Sequence, residues 1–495
     1  MPTRRAVLVS ALAAAAIRPG AALAAVAADA PPASPTVLRL VKRTIEVDGK
    51  PASVYGIRQP DGAEGITTRV GDRFRVRVEN QIGRPSLVHW HGLAPPWQQD
   101  GVPGISGPPI PAGGSADYDF PLAFGGTFWM HSHQGLQEQL LLDAPLIIRD
   151  RRDQPGQQEI VLMLNDFSFT PPAEIFANLK KGGSMPGMAR AAASAAGMSK
   201  MTSGAKSMMT GMPGTSAGGQ VATTASPDLN DVTYDAFLAN DRTLADPEVV
   251  KVEPGGQVLL RVINGSSMSS FHFDLGALDG RLIAVDGTFV TPLTGRRFPI
   301  AVAQRLDIKL TIPAGAAAYP LLATVEGERS RTGIVLSAGK AAIARVPAQA
   351  PAAAPAITME LESRLRALEP LAPRRPDRVH NIDLTGDMSK YIWSINGVAW
   401  NKDVPPLPVA KGERVALVMT NMTSMPHPMH LHGHRFQVVE IEGLQLSGAV
   451  RDTVRVPPGG RVIVVFDADN PGTWAFHCHM LYHLQAGMFT TIRYV

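Results

Sequence analysis

A chain of 495 residues that is 45% hydrophobic and 18% charged is long enough for roughly three domains, each able to bury a core. Its formal net charge of +4 is small for this length and its basic residues are dispersed, which excludes a nucleic-acid or membrane-surface footprint. The single cysteine, Cys478, excludes an internal disulfide.

Residues 1–34 read as an export signal and tail. An arginine pair, Arg4 and Arg5, precedes an alanine-rich run and then small residues suited to cleavage. "TRRAVLV" is similar to a twin-arginine signal, which implies a periplasmic destination. The run from Ala6 to Ile17 is too short to span a bilayer, and no later stretch offers eighteen uninterrupted apolar residues. An unpaired exposed thiol outside the cytoplasm is an oxidation liability, so Cys478 is expected to be buried or metal-bound.

The segment 35–150 contains an alternating strand that turns at an Asn and enters "HWHG" (His89, His91), followed by Asp100 before a Gly. A second unit, 111–133, ends in "HSH" (His131, His133). The segment 151–343 repeats both units without the histidine pairs, at 258–276 and 303–325, and holds a Met-rich insert at 181–225. Its stretch 181–219 has seven methionines and no acid or aromatic residue; thioethers are soft donors suited to Cu(I). An Ala/Pro-rich linker and a short helix are expected over 344–378. The segment 379–495 repeats the two units again, at 415–433 with "HPMHLHGH" and at 457–479 with "HCH". Short strands between turns, with 47 Gly and 42 Pro in all, indicate an all-β chain of duplicated sandwiches.

Four H-x-H units hold eight of the thirteen histidines. In a strand, residues i and i+2 share a face about 7 Å apart, a spacing suited to neighbouring metals in a cluster. Cys478, between His477 and His479, faces the other way and is available to a second site. Around it lie His483, Met488 and His427. Two imidazoles, a thiolate and a weak thioether describe a blue-copper electron-transfer site, so copper is the expected metal.

"HWHG", "HSH", "HPMHLHGH" and "HCHMLYHLQAGM", in this order, resemble the four copper motifs of the multicopper oxidases, and the wording around them is similar to the copper-resistance, CopA-type branch. The resemblance implies three cupredoxin-like Greek-key domains and four copper ions. It gives His427, Cys478, His483 and axial Met488 to a type 1 copper, and His89 with His430 to a type 2 copper. It gives His91, His131 and His479 to one type 3 copper, and His133, His432 and His477 to the other. The first and third domains each offer four histidines to this trinuclear cluster, which therefore lies where they meet.

The implied reaction couples one-electron oxidation of a donor to reduction of O2 to water, with Asp100 relaying protons and Cys478 linking the two sites. The family often places a second relay carboxylate directly after the last type 1 histidine, where this chain has Leu484. The implied donor is Cu(I) or a small aromatic reductant. Met425 matches a thioether used by cuprous oxidases, whereas Thr423 stands where an acid is expected. Rival readings are a laccase-like phenol oxidase without a copper-tolerance role and a non-catalytic copper-sequestering protein. Neither nucleic acid nor a membrane span is expected, and the chain is expected to act as a monomer. His272, His380 and His434, to which the resemblance gives no copper, are read as surface or satisfied core residues.

Overall fold

The strand Arg73–Asn80 alternates as its sequence RFRVRVEN requires, burying Phe74, Val76, Val78 and Asn80 and leaving its arginines toward solvent. Its counterparts Gln257–Asn264 and Arg414–Asn421 are buried almost throughout. In the computed structural model, residues 34–150, 156–182 and 229–495 are described. The leader and nearly all of the Met-rich insert lie outside them.

From Thr36 to Val495 the chain forms one unit built of three successive two-sheet sandwiches. The first pairs a sheet ordered Lys50–Arg58, Thr36–Val47, Arg73–Asn80, Ser115–Pro121 with one ordered Ile66–Arg69, Asp143–Arg149, Gly126–Ser132, Val88–His91. The second has sheets of six and five strands and the third of seven and five. Most pairings are antiparallel. In each sandwich the opening strand lies parallel to the one that ends in Asn, as in Thr36–Val47 beside Arg73–Asn80, because the chain crosses to the other sheet between them.

The three Asn turns share one construction. Asn80, Asn264 and Asn421 are buried, and each side-chain oxygen accepts the N–H two residues on, at 3.2, 3.1 and 2.9 Å. Each amide nitrogen donates to carbonyls on neighbouring segments: Ile110 for Asn80, Ser269 for Asn264 and Met425 for Asn421. The repeat seen in the sequence is therefore a repeat of buried hydrogen bonding.

The first sandwich has its own core, whereas those of the second and third are continuous. The Ala/Pro-rich segment is fixed along the second sandwich rather than free. Ala354 bridges Glu326, Arg329 donates to the Ala350 carbonyl, and Ala350 is buried. The short helix Glu360–Arg364 follows it, and its Glu362 is ion-paired with Arg451 of the third sandwich. Among the described residues no helix is long and apolar enough to cross a membrane.

Candidate metal centre

Strand register delivers the histidines. "HWH" occupies Val88–His91 and pairs antiparallel with Gly126–Ser132, setting His89 opposite His131. In the third sandwich His427–Leu431 pairs with Thr473–Cys478, setting His430 opposite His477 and Met429 opposite Cys478. Within each H-x-H unit the ring centres lie 5.7, 5.9, 4.7 and 5.6 Å apart in chain order, with both rings on one face.

The eight histidines of the four units converge from the first and third sandwiches. Nε2 of His133 and Nε2 of His432 lie 3.3 and 2.9 Å from Nε2 of His477, and Nε2 of His131 lies 3.3 Å from that of His479. The His89 ring lies tilted 3.8 Å from that of His432, and the His91 ring stacks at 3.8 Å on His430. Asp100 binds two rings at once: its carbonyl accepts from His89 Nδ1 at 2.8 Å and its Oδ2 from His432 Nδ1 at 2.8 Å.

The second group lies on the other face of the same strand. Cys478 Sγ is 3.7 Å from His427 Nδ1 and 3.8 Å from His483 Nδ1, and the two nitrogens are 3.2 Å apart. Met488, also fully buried, accepts the Cys478 N–H at its carbonyl. The short helix Leu481–Gln485 brings His483 back beneath Cys478, and Trp393 stacks on it at 4.0 Å. His483 Nε2 donates to Asp231 Oδ2 at 2.9 Å, and Tyr391 donates to the same oxygen at 2.6 Å. His427 Nε2 meets the Thr423 hydroxyl at 2.8 Å.

These contacts test whether metals fit. His432 and His477 each commit Nδ1–H, to Asp100 and to the Cys478 carbonyl, so both Nε2 atoms face each other as lone pairs. His483 commits Nε2–H to Asp231. The Thr423 hydroxyl donates to Asn421 or Met425 and accepts from His427, so two Nδ1 lone pairs also face each other across Cys478. Such pairs repel unless a cation lies between them. His89 Nε2, His91 Nδ1 and His430 Nε2 are buried without any partner. Burial, reinforced by neighbouring rings, holds His91, His131, His133, His427, His430, His432 and His479 well below the ordinary imidazole value. Burial brings His477 to about 3. The rings are therefore neutral at pH 7, as metal donors must be. Burial also pushes the Cys478 thiol up, and a coordinated cation reverses that by deprotonating it. Atoms bound about 2.0–2.3 Å from one ion stand about 3–4 Å apart, the spacing found in both groups.

Three multicopper oxidase family models match residues 40–153, 185–342 and 373–495. The chain belongs to the multicopper oxidase family. It is 32% identical over 443 residues to multicopper oxidase MmcO of Mycobacterium tuberculosis, covering 87% of this chain and 81% of that one. It is 29% identical over 526 residues to a copper resistance protein A homolog of Pseudomonas syringae pv. tomato, covering 86% of each. The laccase of Botrytis aclada has the same fold, with a TM-score of 0.71 and 22% identity over 93% of this chain and 88% of that one. The protein is thus a copper-dependent oxidoreductase of three cupredoxin-type domains, in a family that typically binds four coppers, and its buried histidine groups are compatible with that number.

The ten histidines of the motifs, Cys478 and Asp100 all fall at the two groups, with Met488 packed beside the second. The remaining three histidines do not. His272 and His380 bond the carbonyls of Pro355 and Pro408, and His434 lies buried between the His432 carbonyl and the Tyr494 hydroxyl. Met425 is buried rather than displayed. Four further residues serve the groups without a motif to announce them: Asp231, Arg305, Asp452 and Glu138. Glu138 Oε2 lies 2.7 Å from His131 Nδ1, and Glu138 lines a cleft with Leu481 and Leu484. Burial and Asp166 hold its carboxyl well above the usual range. An acid five residues beyond "HSH" was its only signal in the sequence.

Proposed function

We propose that this oxidase takes its electrons from cuprous ion, in copper tolerance outside the cytoplasm. His427, Cys478, His483 and Met488 hold the type 1 copper, and His89 with His430 the type 2. His91, His131 and His479 hold one type 3 copper, and His133, His432 and His477 the other. The observation that carries the choice of donor is the closed edge of His483. Its Nε2 is taken by Asp231, its face is covered by Trp393, and all four side chains of the group are fully buried. A phenol has no imidazole edge to lodge against, whereas a small ion needs only a nearby soft donor. Met422, 67% exposed, offers a thioether one residue from Thr423, which holds His427. The name of the copper resistance relative supports the same choice.

When bound, copper supplies the one-electron redox steps and the place where oxygen becomes water. The chain's own residues do the rest. Cys478, joined covalently to His477 and His479, bridges the two groups. Asp100 holds the His89 and His432 rings in the tautomers that leave Nε2 bare, and its Oδ1, buried without a hydrogen bond, is placed to carry protons to the cluster. Glu138, rather than a residue after His483, stands beside Asp100 as the second carboxyl group to relay protons. The leader with Arg4 and Arg5 supports twin-arginine export to the periplasm.

Excising the methionines from Met185 to Met212 tests the donor. None of the proposed ligands lies in that stretch, so four coppers and the blue band are expected to remain. Oxygen uptake with Cu(I) should fall while turnover of a bulky phenol holds steady or rises. Equal loss of both, or undiminished Cu(I) oxidation, favours the phenol oxidase instead.

A further inference from the structure

The middle sandwich carries none of the proposed ligands, yet its residue Arg305 lies at the cluster. The guanidinium is completely buried, and both terminal nitrogens donate to the Asp452 carboxylate, Nη1 to Oδ1 at 2.8 Å and Nη2 to Oδ2. Its Nε donates to the Thr127 carbonyl at 3.2 Å, on the strand that carries His131, and Nη1 also to the Ala303 carbonyl at 3.0 Å. One side chain thus ties together all three sandwiches. Gly92, directly after "HWH", leaves room for the clamp: a Cβ there would fall 2.7 Å from both Arg305 Nη2 and Asp452 Oδ2, and its φ of +88° also favours glycine.

Asp452 in turn sets the orientation of one ring. Its Oδ1 accepts from His91 Nε2 at 3.1 Å, while its carbonyl accepts from His430 Nδ1 at 2.9 Å. His91 therefore presents Nδ1, which is buried and unpartnered, whereas the other seven rings of the H-x-H units turn Nε2 to the cluster. An isolated carboxylate at 1% exposure would be costly and free to swing; the planar fork of an arginine fixes both its charge and its plane. Lysine, a point charge, cannot do the second.

We infer that Arg305 is a positioning residue of the trinuclear cluster: by clamping Asp452 it holds His91 with Nδ1 toward copper, so the copper-free sandwich determines how the cluster between its neighbours assembles. This rests on the ligand assignment proposed above.

The test is Arg305→Lys, with Asp452→Asn as a second variant that keeps an acceptor for His91 but loses the carboxylate fork. In both, copper per protein should fall below the wild-type value, with cluster affinity weakened about 10–100-fold and the type 2 EPR and type 3 absorption bands altered. The type 1 blue band should persist. Four retained coppers with unchanged cluster spectra in either folded variant overturn the inference, as does equal loss of the blue band and the cluster bands. If neither variant folds, the copper-loaded wild-type crystal structure decides: Nδ1 of His91 on copper upholds it and Nε2 overturns it. Failure of the underlying assignment reads differently, as a wild-type protein that does not bind about four coppers.

Discussion

The first and third sandwiches and the middle one are built on the same Asn turn, yet only the outer two present histidines. After Asn80 and Asn421 the chain runs into "HWH" and "HPMHLH", whose rings face a boundary between domains. After Asn264 it runs into Phe271–Asp274, where Phe271 and Phe273 are fully buried in a core and His272 turns outward to the Pro355 carbonyl. The scaffold is common; the chemistry follows from what the strand after the turn faces. A core rewards aromatic burial, while an interface between two sandwiches can converge polar rings from both sides. The middle sandwich contributes from behind the ligands, through Asp231 at His483 and Arg305 at Asp452.

The largest expected effect comes from cutting the bridge within the third sandwich. Cys478→Ser removes the only thiolate, so the blue charge-transfer band and all turnover should vanish while the cluster in the outer sandwiches keeps its copper. A blue band persisting in that variant rules out the thiolate assignment. Next is Asp100→Ala, which frees the His432 ring and removes the buried carboxylate, while the backbone carbonyl that holds His89 remains. Turnover or cluster affinity should fall about 10–100-fold with the blue band unchanged, as read by copper analysis and oxygen uptake.

Two variants separate the Asn turn of the middle sandwich from that of the third. Asn264→Ala and Asn421→Ala each strip a buried turn of equivalent hydrogen bonds, so each should cost about 1–3 kcal/mol of stability in denaturant unfolding. Only Asn421→Ala should also shift the blue band. Asn421 bonds the Thr423 hydroxyl and the Met425 carbonyl, and Thr423 holds His427. Identical spectra in the two variants would mean that the turn is scaffold alone.

Much of this was legible in the residues. The H-x-H pairs, the Asn turns and the isolated Cys478 carry their spacing in the sequence, because strand alternation and β-turns are local. What stayed hidden was long-range. Asp452 lies 361 positions from the His91 it orients, and Asp231 lies 252 from His483; no local pattern marks an acid that acts across a domain boundary. Glu138 was close in sequence to "HSH" but lies on a short turn with no period to read. Likewise the Ala/Pro composition of the connecting segment announces extension, not the bridges through Ala354 and Gln349 that fix it to the second sandwich.

The smallest expected effect tests the boundary of the site. His272 occupies the strand of the middle sandwich that corresponds to "HWH", but its neighbours Phe271 and Phe273 fill the core, and among the described residues its ring bonds one polar group, a backbone carbonyl at 2.9 Å. Replacing a half-exposed ring with one such bond removes neither a buried contact nor a donor to either group. His272→Ala should therefore change stability by no more than about 0.5 kcal/mol and leave copper content and turnover at their wild-type values. His380→Ala, bonded in the same way to the Pro408 carbonyl, is the control in the third sandwich. Loss of copper from the His272 variant alone would show that the middle sandwich binds metal itself, and the contrast between presenting and positioning domains would fail.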